Sequence, residues 1–136
     1  PAMLQQLSQA INEFQNAVIE MNLEDSVTLF TASDFGRTLS ANGGGSDHAW
    51  GGNQFVVGGS VNGKQVYGDY PDLAPGSSLD TGRGRLIPST SVDEYFAELA
   101  LWMGVSKSNL PLVLPNLRRF YDVTSESPPL GLMNLG

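Results

Sequence analysis

The stretch Val27-Thr28-Leu29-Phe30-Thr31-Ala32-Ser33-Asp34 decides the fold class. Its first five residues are β-branched, aromatic or aliphatic, with no polar alternation, as in an interior strand of a parallel sheet. Just upstream, Leu4, Leu7, Ile11, Phe14, Val18 and Met21 recur three and four residues apart. That spacing places all six on one stripe of an amphipathic helix over about residues 3 to 21, with Asn22 as its stop. A helix leading into an interior strand is half of a βαβ unit, so a preceding strand is expected that these residues do not supply. The expected fold is therefore α/β, a partial parallel or mixed sheet with packing helices.

Working outward, residues 32–52 turn to Gly, Ser, Asn and Asp, which reads as one long functional loop. Residues 54–67 follow as an expected β-hairpin, because Phe55-Val56-Val57 and Gln65-Val66-Tyr67 flank Asn62-Gly63, the dipeptide suited to a tight turn. Proline and glycine then mark an irregular crossing up to Gly84. Ser91-Val92-Asp93-Glu94 is a capping box that opens a helix over 92–103, with Val92, Tyr95, Phe96, Leu99 and Met103 as its apolar face and Gly104 as its stop. Trp50, Tyr67, Tyr70 and Trp102 are expected to pack in the core or the hairpin.

With 136 residues, 40% of them apolar and 15% charged, the chain is read as one globular domain over 1–136. Fourteen acidic against seven basic side chains give a net charge of −7, and nothing clusters Lys and Arg, so nucleic acid is not an expected partner. No run approaches the roughly 18 apolar residues of a membrane span. The absence of cysteine removes disulfide and thiolate chemistry.

Ligands in open α/β sheets bind beyond the carboxyl ends of the strands, where Asp34 lies. His48, the single histidine, follows Asp47 in a loop that Gly43-Gly44-Gly45 makes open to close backbone approach. Imidazole and carboxylate are metal ligands, and a catalytic centre takes about three from protein, so Asp34, Asp47 and His48 are candidates for a divalent zinc, calcium or magnesium ion. Neighbours on extended backbone point apart, which favours Asp47 as a support to His48 rather than a co-ligand. Arg37 has the planar fork that binds phosphate or sulfate, or it pairs with Asp34 or Asp47. Hydroxyls at Ser33, Thr38, Ser40 and Ser46 have no evident activating base, which argues against a serine triad.

Phe30-Thr31-Ala32-Ser33-Asp34-Phe35-Gly36-Arg37-Thr38, Gly45-Ser46-Asp47-His48 and Val66-Tyr67-Gly68-Asp69-Tyr70-Pro71 resemble the bacterial domain-of-unknown-function 1501 family. Gly82-Arg83-Gly84-Arg85-Leu86-Ile87-Pro88, Leu101-Trp102-Met103-Gly104-Val105 and Leu114-Pro115-Asn116-Leu117-Arg118-Arg119-Phe120 are similar to its closing motifs. That family looks like a branch of the alkaline phosphatase and sulfatase superfamily, exported in many members, with full-length proteins several times longer. The resemblance implies the C-terminal portion of an alkaline phosphatase-like fold, an exported or periplasmic location, and a metal-dependent phosphate or sulfate ester hydrolase as the whole protein. It implies Asp34 and His48 as metal ligands, with Phe35 where the superfamily has another metal-binding histidine. The expected partners are the missing N-terminal part of the same protein or, through the surface that part leaves bare, a second copy. The chain alone is expected to be inactive, and the competing reading is a non-catalytic binding or structural protein with a degenerate metal site.

Overall fold

A computed structural model describes residues 2–136. Helix α1 spans Ala2–Glu20, strands β1 to β4 span Thr28–Phe30, Gly36–Ala41, Ser46–Ala49 and Val56–Gly58, and helices α2 and α3 span Val92–Trp102 and Leu110–Val113. Short 3-10 turns occupy Lys107–Asn109 and Leu117–Arg119. The architecture is mixed α/β, with three helices and two small antiparallel sheets, β1 with β4 and β2 with β3. None of the described helices is long and apolar enough to cross a membrane.

Helix α1 forms and stops as its sequence predicts. Asn22 takes a φ of 54° past its end, and the Leu23 and Asn22 amides return to the Val18 and Ile19 carbonyls at 3.0 and 2.9 Å. This pair of bonds is the Schellman closure of a helix. The apolar stripe does not become a core face, however. Val18 alone is buried, and Leu4 is 72% exposed. Residues 2–10 are exposed throughout, and cover along the helix is limited to Ile11, Gln15 and Val18.

The strand after α1 is not an interior parallel strand. Thr28, Leu29 and Phe30 pair antiparallel with Gly58, Val57 and Val56, and Phe30 stays exposed. Its partner comes from the segment expected to form a hairpin over 54–67, and that hairpin is absent because its first arm and its turn are claimed elsewhere. Val56–Gly58 goes to β1, while Val61 bridges to Met133 and the Asn62 amide donates to the Leu132 carbonyl at 2.9 Å. The Asn62 side chain donates to the Gly131 carbonyl, so long-range contacts to the tail override the local turn preference.

The long loop is itself a ribbon. β2 and β3 pair through Gly36↔Ala49, Arg37↔His48 and Ala41↔Ser46, with an irregularity between Arg37 and Ala41. Their turn closes by an Asn42 amide to Gly45 carbonyl bond, with Gly43 at a φ of 94°. A side chain at position 36 would run into the Gly51 carbonyl, so this strand start requires glycine.

Helix α2 carries the expected capping box: the Ser91 hydroxyl accepts from the Glu94 amide at 3.1 Å, and the Glu94 carboxylate accepts from the Ser91 amide at 2.9 Å. Gly104, at a φ of 91°, ends it. Two small cores flank the helix. Ala97 packs with Leu110 and Leu117; Leu99 packs with Leu132 and Met133, joined by Val56, Val61, Tyr67 and Trp102. Val92 and Met103, expected on the buried face, are exposed, and Glu98 is fully buried instead. Its carboxylate accepts from the Leu130 and Met133 amides, both at 3.1 Å, which ties the tail to α2. Tyr67 and Trp102 pack as expected, whereas Trp50 and Tyr70 are 59% and 62% exposed.

Candidate functional site

The candidate residues gather on the β2–β3 ribbon and the bend before it. The strand end is held first: the Thr31 amide and hydroxyl bond to the Phe55 carbonyl and the Gln54 side chain, and the Tyr95 hydroxyl donates to the Thr31 carbonyl at 3.0 Å. Asp34 follows on an exposed bend whose backbone is shaped by the Ser33 hydroxyl donating to the Phe35 carbonyl at 2.9 Å. The Asp34 carboxylate has no hydrogen-bond partner among the described residues.

Arg37 and His48 sit opposite each other in the ladder, and Phe35 lies two residues before Arg37, so strand periodicity brings the three side chains to one face. The His48 imidazole stacks on the Phe35 ring, with centroids 3.6 Å apart and planes 13° from parallel. The Arg37 guanidinium carbon is 5.2 Å from the same centroid, and its Nη1 donates to the Ser46 carbonyl at 2.9 Å. Among the described residues His48 has no hydrogen-bond partner for either ring nitrogen.

Alternation along β3 turns Asp47 to the other face. There the Asn42 amide donates to one carboxylate oxygen at 2.7 Å and Arg83 pairs with the other at 2.5 Å. The Asn42 bond, with the Arg83 charge after it, holds the Asp47 carboxyl below the usual carboxylate range. Asp47 is thus engaged, and the Asp34 and His48 side chains are not. No group of three or more His, Asp and Glu able to hold a metal ion occurs among the described residues. Of the three candidate ligands, Asp34 and His48 are the ones whose side chains make no hydrogen bond among the described residues.

Sequence reasoning gave no role to Arg83. It rises from the loop Asp80-Thr81-Gly82-Arg83-Gly84-Arg85, where the Asp80 carboxylate accepts from the Gly76, Gly82 and Gly84 amides at 3.0, 2.8 and 2.9 Å. Those bonds, Gly76 foremost, lower the Asp80 carboxyl from its ordinary value. The caged loop holds Arg83 at a φ of 63°, from which it reaches Asp47 and the Ala41 carbonyl. An aspartate with glycines two and four residues on was the available signal for such an amide cage.

Two grooves border the ribbon. Arg37 lines one of about 310 Å³ with Leu39, Tyr70, Ser89 and Thr90. Asp34 and Phe35 stand on the wall of an open cleft of about 1180 Å³, together with Trp50, Tyr70, Lys64 and Tyr95.

Residues 1–104, the span that carries this ribbon, match the family described as Protein of unknown function (DUF1501). The chain belongs to the DUF1501 family. Neither a curated protein nor a solved structure matches it. Membership in DUF1501 covers α1, both sheets and all of α2, and stops at Gly104, before the tail that Glu98 secures.

Proposed function

We propose that this DUF1501 chain is the C-terminal portion of an exported alkaline phosphatase or sulfatase-like protein, to which it lends Asp34 and His48 as ligands for a divalent metal. In the whole protein that ion would assist hydrolysis of a phosphate or sulfate ester. The observation that carries the proposal is a pair of free donors: the Asp34 carboxylate, next to Phe35 in the chain, and the His48 imidazole stacked on the Phe35 ring, each without a hydrogen-bond partner among the described residues. Elsewhere in this chain carboxylates near the ribbon are consumed, Asp47 by Arg83 and Asp80 by backbone amides. Two protein donors fall short of the usual three, so the remaining ligands and the nucleophile come from an N-terminal part. Arg37 has one of its five donors engaged and offers the rest to a tetrahedral anion.

A divalent ion supplies charge that polarises an ester oxygen. The contribution of this chain is to hold one donor, His48, on the ribbon and the other, Asp34, on the bend that leads into it. A non-catalytic binding role is the second reading, favoured by Phe35, which fills a ligand position with a ring that binds no ion.

Metal content of the natively purified protein decides between them, compared with Asp34→Ala and His48→Ala and followed by an ester-hydrolysis screen. Each substitution should lower bound metal at least tenfold. Unchanged metal in both variants sinks the site; bound metal with no ester cleavage leaves the binding role.

A further inference from the structure

We infer that Phe35 is a positioning residue, a platform that fixes the plane of the His48 imidazole and the direction of its nitrogen lone pairs. The inference rests on His48 being a metal ligand as proposed above. Histidine ligands are ordinarily oriented by a hydrogen bond from the second ring nitrogen to a carboxylate or carbonyl. His48 has no such partner among the described residues. What it has is a ring 3.6 Å away and 13° from parallel. A stack engages the face of an imidazole and leaves its edge free, and the lone pairs lie in the ring plane. The Phe35 plane therefore sets where a nitrogen can point while both nitrogens stay available.

The platform is itself anchored. Gly36, which no other residue can replace against the Gly51 carbonyl, fixes the backbone immediately after Phe35. The Ser33 hydroxyl holds the Phe35 carbonyl, and the Arg37 guanidinium beside the ring is tethered to the Ser46 carbonyl. On the other side, Asn42 and Arg83 fix Asp47, the neighbour of His48. Phe35 is 39% exposed, and the anchored backbone on both sides of the stack restricts the imidazole to one plane. Phe35, at a position where the resemblance leads one to expect a ligand, thus serves the ligand across the ribbon.

The single histidine of the chain makes the test direct. NMR of the histidine-labelled chain should place the His48 ring protons upfield, shifted by the ring current of Phe35. In Phe35→Leu that displacement should vanish while amide dispersion persists, and the His48 response to added zinc should need about tenfold more zinc or beyond. Phe35→Tyr, which keeps a ring, should retain both behaviours. The platform is overturned if Phe35→Leu leaves the ring protons or the zinc response unchanged, or if Phe35→Tyr loses them. Should Phe35→Leu unfold the chain, Phe35→Tyr decides by the same two readings. A wild-type His48 that is not shifted upfield defeats the platform whatever zinc does, and the metal reading stands or falls separately, on the metal content of the full-length protein and its His48→Ala variant.

Discussion

Glu98 is the residue on which the molecule's closure turns. A fully buried carboxylate is costly unless its oxygens are satisfied, and here each accepts one backbone amide, from Leu130 and from Met133. Glu98→Ala leaves two largely buried amides unpaired and should cost roughly 2 to 4 kcal/mol of stability. Glu98→Gln keeps an acceptor for one amide and should lose less. Denaturant midpoints check the order, and an alanine variant within about half a kilocalorie of wild type would refute the tie. Sequence reading passed over Glu98 because it interrupts an apolar helix face, where a charged residue is ordinarily turned to solvent. Its partners lie 32 and 35 residues away, beyond any local pattern. Asp47 and His48 were more legible, since strand alternation alone separates their side chains.

Among the elements, those fixed by near neighbours could be read. The capping box of α2, its glycine stop and the Asn22 closure of α1 depend on residues within a few positions of each other. The pairing of β1 with β4 spans an intervening ribbon, and Asn62-Gly63 yielded its turn to the tail, so neither could be read locally. The β2–β3 ribbon reads as loop in the sequence because its glycines and its irregularity between Arg37 and Ala41 break the alternation that marks a strand. The caged loop around Asp80 makes a prediction at this scale. Its carboxyl and that of Asp47 are lowered in the folded chain, so the stability they confer is present above the unfolded carboxylate value and is lost as pH falls through the folded one. Thermal midpoints should therefore fall below about pH 4. Asp80→Asn should begin lower at neutral pH and fall less steeply. Parallel curves for the two proteins would remove Asp80 from the cage.

Taken whole, the molecule exposes more surface than its mass requires. A compact monomer of 14.5 kDa has about 6,900 Å² of accessible surface, and this one has 9192 Å². The excess, roughly 2,300 Å², well exceeds the 800 Å² or so that each partner contributes to a standard interface. Much of it is apolar, on the outer turns of α1 and on Phe30, Trp50 and Phe55. In the proposed whole protein an N-terminal part covers it. Alone, the 136-residue chain should self-associate, and Leu4→Ser with Leu7→Ser should move it towards monomer in light scattering. A clean monomer at high concentration would count against that. The bridge from Val61 to Met133, with Asn62 and Glu98 gripping the same tail, has a further consequence for how the chain is made. On the ribosome, α1 and the ribbon emerge early, but the second core lacks Leu132 and Met133 until translation has passed them. The second core must therefore wait for the translation of Leu132 and Met133, and a chain stopped before them would leave Leu99, Val56 and Val61 without the partners that cover them.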